Sequence, residues 1–150
     1  MVDDFKNEKN KSRALYILAR NLEKSNPDKA IEIYSDYFNL FPQNKRTGQA
    51  LLNKSYLFFK KKAYSSCLSS LNKIIIFYSQ PKYAVLDKAY YLLGIFYRNP
   101  GPYQDLEKAK QSFSVFLKGN LADRDDIKNS IWREPALQNL ADLRLEGLRP

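Results

Sequence analysis

Histidine is absent from the 150 residues. That removes the commonest general base near neutral pH and the commonest metal ligand. Cysteine occurs once, as Cys67, which excludes an intramolecular disulfide and a thiolate metal cage. The 5 glycines are scattered, so neither a phosphate-binding loop nor a dinucleotide fingerprint can form. No apolar run is long enough to span a bilayer, and Met1 to Lys11 is polar and charged. The chain as written is therefore expected to carry neither a membrane-spanning helix nor a signal peptide. No lipid-acceptor cysteine stands near the N-terminus. These absences leave no motif for catalysis, for a cofactor or for a metal, and the sequence reads as non-enzymatic.

What is present is apolar, aromatic and basic. Hydrophobic residues make up 44%, too many for a disordered chain, and 150 residues suffice for one packed domain. Tyr occurs 11 times and Phe 9 times, against one Trp, a supply of large side chains for seams between helices. The net charge is +9. Lys and Arg are dispersed, and the one tight run, Lys60-Lys61-Lys62, suits a helix end, where cations oppose the macrodipole. The charge is read as a solvated surface rather than a nucleic-acid interface. Asp123-Arg124-Asp125-Asp126 lacks the glycine turn and distal Glu of a calcium loop and reads as an acid-rich helix start.

One pattern recurs three times: a small residue inside a helical run, then another small residue early in the next. Ala19 and Ala30, Ser55 and Cys67, and Gly94 and Ala109 form the pairs, 11, 12 and 15 positions apart. Cys67 stands where the other runs have alanine, so it is expected to be a buried packing residue. Such self-similarity means helical hairpins that stack on one another. Residues 1–11 are expected to form a flexible polar lead-in, and 12–150 a single domain.

The first hairpin spans about 12–42, with Ala14, Leu15, Leu18, Ala19 and Leu22 inward on its first helix. Asn26 caps and Pro27 opens its second helix, which turns Ala30, Ile31, Tyr34 and Phe38 inward and stops before Pro42. The second hairpin spans about 47–79, with Ile74 to Phe77 as the end of a helix. The third, about 83–118, pairs Tyr83–Arg98 with Asp105–Lys118 across Asn99-Pro100-Gly101-Pro102-Tyr103, the strongest turn signal in the chain. Capping helices follow at about 123–148, with Leu137, Leu140, Ala141 and Leu145 apolar and Trp132 filling the last seam.

These anchors resemble the tetratricopeptide repeat. Leu15, Leu18, Ala19, Ala30, Tyr34 and Pro42 fit its pattern in the first hairpin. Tyr90, Leu93, Gly94, Tyr97, Ala109 and Phe113 fit it in the third. The second departs, with Lys54 at the usual leucine and Ser79 at the usual proline. The resemblance implies an all-α solenoid of antiparallel hairpins that offers a groove to a protein partner. It places Arg13, Tyr16, Ile17 and Arg20 on the concave face, with Asn53, Tyr56, Phe59 and Lys60 from the second hairpin. From the third it places Tyr91, Leu92, Ile95 and Arg98 there. Tyr16, Leu52 and Tyr91 stand where some relatives carry a carboxylate-clamping lysine, which favours an apolar or aromatic partner segment.

Within that class the chain resembles the BamD family of outer-membrane assembly lipoproteins. The opening Ala14-Leu15-Tyr16 run, the helix Lys88 to Gly94 and the long turn into Gln104–Phe113 carry the likeness. It implies a scaffold at the periplasmic face of the outer membrane, bound to the barrel-forming assembly subunit or to an unfolded client. Any hold on the membrane would come through a lipid anchor that this chain lacks. The alternatives are a generic periplasmic or cytosolic adaptor, such as a peptidoglycan-linked or secretion chaperone, and a basic nucleic-acid binder. A native chain without a signal peptide would be cytoplasmic.

Overall fold

In the computed structural model, residues 2–148 are described, with side chains from Asn7 to Leu148. They form eight α-helices and no strand, the all-α hairpin architecture expected. The chain divides into two compact units, one up to Tyr78 and one from Ser79 on.

The first unit holds α1 (Val2–Leu22), α2 (Pro27–Leu40), α3 (Thr47–Lys60) and α4 (Tyr64–Phe77). They pack in chain order, α1 on α2, α2 on α3 and α3 on α4. α2 starts as its sequence demands: the Asn26 side chain accepts the Lys29 N–H at 3.2 Å, with Pro27 in the first turn. α3 ends in a Schellman turn. The Ala63 N–H returns to the Phe58 carbonyl at 2.9 Å and the Lys62 N–H to Phe59 at 3.0 Å. Lys62 occupies the left-handed position of that turn, with φ 63°.

Small residues let these helices approach. Ala19, Ala30, Ala50 and Ser55 are fully buried, and large Tyr34, Tyr37 and Leu51 fill the space between them. Polar groups in this core are paired: Tyr37 Oη donates to Asn44 Oδ1 at 2.6 Å, and Asn44 Nδ2 reaches buried Ser12 at 3.4 Å.

Several sequence expectations shift here. The backbone of 2–11 continues α1, so the helix starts well before Ser12; Met1 and the side chains of residues 1–6 lie outside the described residues. On α1, Ala19 is buried and Leu15 and Leu22 half-buried, but Ala14 and Leu18 are exposed. They line an open recess with Leu15 and, from the end of α2, Leu40 and Phe41, where solvent still reaches them. On α2, Ile33 and Tyr37 are buried with Ala30 and Tyr34, while Ile31 and Phe38 stay half-buried at the edge.

The second unit begins with a 3₁₀ turn at Pro81–Tyr83, then α5 (Leu86–Arg98), α6 (Leu106–Ser114), α7 (Asp125–Lys128) and α8 (Arg133–Glu146). α5 packs on α6, and α6 on α8. The Asp105 side chain caps α6 by accepting the Lys108 N–H at 3.1 Å. α6 stops at Ser114, four residues short of the expected Lys118, where the backbone tightens into turns carrying buried Phe116. α8 buries Ala136, Leu140 and Leu143, leaving Ala141 exposed and Leu145 59% exposed. The buried stripe follows the i, i+4, i+7 spacing on the side of α8 that packs on α6.

Candidate functional site

The first unit brings three of the expected groove residues together. Tyr16 and Arg20 project from one stripe of α1, and Asn53 comes from α3. Asn53 Nδ2 lies 3.2 Å from the hydroxyl of Tyr16 and 3.2 Å from that of Tyr34, while its carbonyl accepts from Gln49 Nε2 at 2.9 Å. The Tyr34 hydroxyl donates in turn to the Glu23 carboxylate. Burial, then this bond to Glu23, pushes the Tyr34 phenol far above its ordinary value, so it remains a neutral donor. Arg20 stands 3.8 Å from Glu23, and its hydrogen bond to Tyr16 raises its already high pKa.

This network fixes three helices and orients what faces solvent. A tyrosine buried as Tyr34 is needs a hydroxyl partner, and it finds one in Glu23, just past the end of α1, and one in Asn53 on α3. Tyr34, Glu23 and Gln49 were not among the expected site residues. Tyr34 carried a signal all the same, because an inward tyrosine implies a polar group on the facing helix.

Beside the network, Tyr56 is 48% exposed, with the Lys60 ammonium 5.4 Å from its ring centre. Gln49, Asn53, Tyr56 and Lys60 follow one helical stripe of α3, and Arg13 is exposed on α1 one turn before Tyr16. Ile17, expected on the same face, is also exposed. Phe59 is half-buried and meets Tyr64 edge-on at 6.0 Å, so it helps hold α3 to α4.

In the second unit two of the four expected residues, Tyr91 and Arg98, fasten helices. Tyr91 stacks on Trp132, ring centres 4.9 Å apart at 27°, and leans on Phe113 at 6.2 Å. Arg98 donates to Asn139 at 2.6 Å and to Glu146 at 2.9 Å, tying α5 to α8. Leu92 and Ile95 are half-buried. Arg98, Gln104 and Glu146 rim an open cavity of about 410 Å³ at that junction.

Cys67 is buried, and burial pushes its thiol up to about 12, as suits a packing residue. Asp126 is held by Arg124 at 2.7 and 3.0 Å, at the start of α7. Among the described residues no group of three His, Cys, Asp or Glu is placed to hold a metal ion. No helix among them is long and apolar enough to cross a membrane.

A family model described as tetratricopeptide repeat matches residues 13–44, from the middle of α1 through α2 and the turn that closes it. No curated protein and no solved structure matches the chain.

Proposed function

We propose that this protein is a non-enzymatic scaffold that captures a protein partner on the face shared by α1 and α3. The observation that carries this reading is the Tyr16–Asn53–Tyr34–Glu23 network, which fixes that face before any partner arrives. A preorganised surface spares the ordering of side chains on binding. Tyr, Arg and Lys around it supply large contact area and positive charge, and such residues commonly anchor protein interfaces. Tetratricopeptide hairpins in general serve protein–protein contact, which agrees with the matched span.

The finer part of the proposal is a role in outer-membrane β-barrel assembly, as in the BamD family. The partner is then the barrel-forming subunit or an unfolded client, at the periplasmic face of the outer membrane. The Ala14-Leu15-Tyr16 run, the Lys88–Gly94 helix and the long Asn99–Tyr103 turn support it.

Two experiments separate these levels. Exchanging Tyr56→Ala together with Lys60→Ala removes exposed groups only. Partner capture in a crosslinked pull-down from the source cells then falls while the thermal midpoint holds; undiminished capture would remove the groove assignment. Identification of the captured protein tests the finer part, which fails if no barrel-assembly subunit or outer-membrane client is recovered.

A further inference from the structure

The last turn of α8 is held by charge rather than by packing. Leu143 is the last buried residue of the helix, and the residues from Arg144 to Leu148 are all exposed. What ties this turn to α5 is the Glu146 carboxylate, 2.9 Å from Nη2 of Arg98. An ion pair between partly solvated side chains contributes little. A helix end without buried apolar contacts also opens more readily than the body of the helix. Glu146 can therefore leave Arg98 at small cost.

Arg98 does not depend on Glu146 for its position. Its Nη1 donates to Asn139 Oδ1 at 2.6 Å, and Asn139 Nδ2 donates to the Pro135 carbonyl one turn earlier on α8, at 2.8 Å. Asn139 stands next to buried Leu140, in the part of α8 that packs on α6. The guanidinium thus stays aimed when the last turn opens, at the edge of the cavity of about 410 Å³ that it rims with Glu146.

The other walls of this cavity are apolar and amide. Ile95 comes from α5, Leu106 from the start of α6 and Pro100 from the long turn between them. Gln104 Nε2 donates to the Arg98 carbonyl at 3.2 Å and so ties the far side of that turn to the end of α5. The extra turn residues that set the third hairpin apart from the other two therefore build one wall of the site.

We propose that this cavity receives an acidic side chain flanked by apolar residues on a partner protein, with Glu146 as its resident stand-in. Once Glu146 withdraws, the lining carries the one positive charge of Arg98 and no negative one. That balance matches a carboxylate, whereas a phosphate would bring a second charge without a second cation. The stand-in has the same chemistry: Leu145-Glu146-Gly147-Leu148 sets a carboxylate between two leucines. Both leucines remain in solvent, and Leu106 is 40% exposed. A separate segment can bond Arg98 and also lay its apolar groups on Ile95, Pro100 and Leu106, a gain that the tethered turn does not make. The site lies within the second unit and does not depend on the face shared by α1 and α3.

The probe is a peptide of residues 143–148, Leu-Arg-Leu-Glu-Gly-Leu, with a neutral dye on its N-terminus and an amidated C-terminus. The Glu is then its one carboxylate. In anisotropy titrations with the full chain, Glu146→Gln should bind it about fivefold more tightly than the parent, which offers Arg98 only while the last turn is open. Adding Arg98→Gln should abolish the gain, and a peptide with Gln in place of Glu should bind both proteins equally weakly. Arg98→Lys in the Glu146→Gln chain keeps the charge and loses the fixed fork, so it should lose most of the gain and keeps the test decisive if Arg98→Gln does not fold. A purely structural ion pair would lower the thermal midpoint of Glu146→Gln without tightening binding, and that result would overturn the proposal. So would failure of the peptide to bind Glu146→Gln, or tighter binding of the Gln peptide once its C-terminal carboxylate is freed, which would make a chain end the ligand.

Discussion

Gly94 of α5 lies directly under the ring of Phe113 of α6. A methyl group on Gly94 would stand 2.5 Å from Cζ and 2.7 Å from Cδ1 of that ring, which is itself fully buried. The absence of a side chain at Gly94 sets how closely α5 and α6 pack.

Gly94→Ala is therefore expected to destabilise the second unit by about 2 kcal/mol, the usual cost of overpacking a core. Trp132 is the only tryptophan and stacks on Tyr91 in the same unit, so its fluorescence reads this melting directly. Phe113→Leu in the same chain should recover part of the loss. An unchanged Trp132 transition in Gly94→Ala would show that the contact is not close.

Tyr34→Phe removes the hydroxyl that joins Glu23 to Asn53. Leaving those two groups without their shared partner should cost about 1–2 kcal/mol. Asn53→Ala should be strongly non-additive with it, since both act on one network. Additive losses in a double-mutant cycle would mean that the network does not act as a unit.

Alkaline pH should unfold the protein early. The Cys67 thiol, with an ordinary value of 9.0, is raised to about 12, and Tyr34, Tyr37 and Tyr90 are raised above 10.0. In each case burial is the first cause. In the unfolded chain these groups lose protons at their ordinary values, while the folded chain keeps them. Stability is thus complete below pH 9 and falls above it, by up to about 1.4 kcal/mol per pH unit for each group. Cys67→Ala removes the earliest part of the fall, from pH 9 to about 12. Denaturant midpoints measured from pH 8 upward check this, and a flat profile for the parent chain would contradict it.

Lys62→Gly should stabilise the first unit by about 1 kcal/mol. Lys62 sits at φ 63°, where a Cβ is strained and glycine is not, and both Schellman hydrogen bonds involve only backbone. A lower thermal midpoint in this variant would show that the Lys62 side chain contributes more than its backbone strain costs.

Arg98→Ala is expected to act on stability before it acts on any partner. The bonds to Asn139 and Glu146 hold α5 to α8, and their loss should cost the second unit about 1 kcal/mol, since the Glu146 side chain is 45% exposed and solvent screens the pair. The Trp132 signal again reports it. An unaltered transition would show that the two bonds do not fasten α8.

The hairpins were legible because their signals are local. Asn26-Pro27 caps α2, the small anchors mark Ala19, Ala30, Ser55, Cys67, Gly94 and Ala109 as buried, and the prolines after Leu40 and Arg98 break the helices. Each depends on neighbours within a turn or two of the chain. Inward faces were less legible at α1 and α8. Apolar spacing there permits more than one stripe, and only the packing partner selects it; α6 selects Ala136, Leu140 and Leu143 on α8.

By itself, then, the sequence determined an all-α chain of antiparallel hairpins, their turns, their small-residue contacts and the inertness of Cys67. Tertiary structure alone decided what the polar residues do. Tyr16 meets Asn53 across 37 positions of chain, and Arg98 reaches Asn139 across 41. The physical reason is range. Helix periodicity and caps act through the backbone over a few residues, whereas a hydrogen bond or a repulsion between side chains depends on how helices far apart in sequence are set against each other.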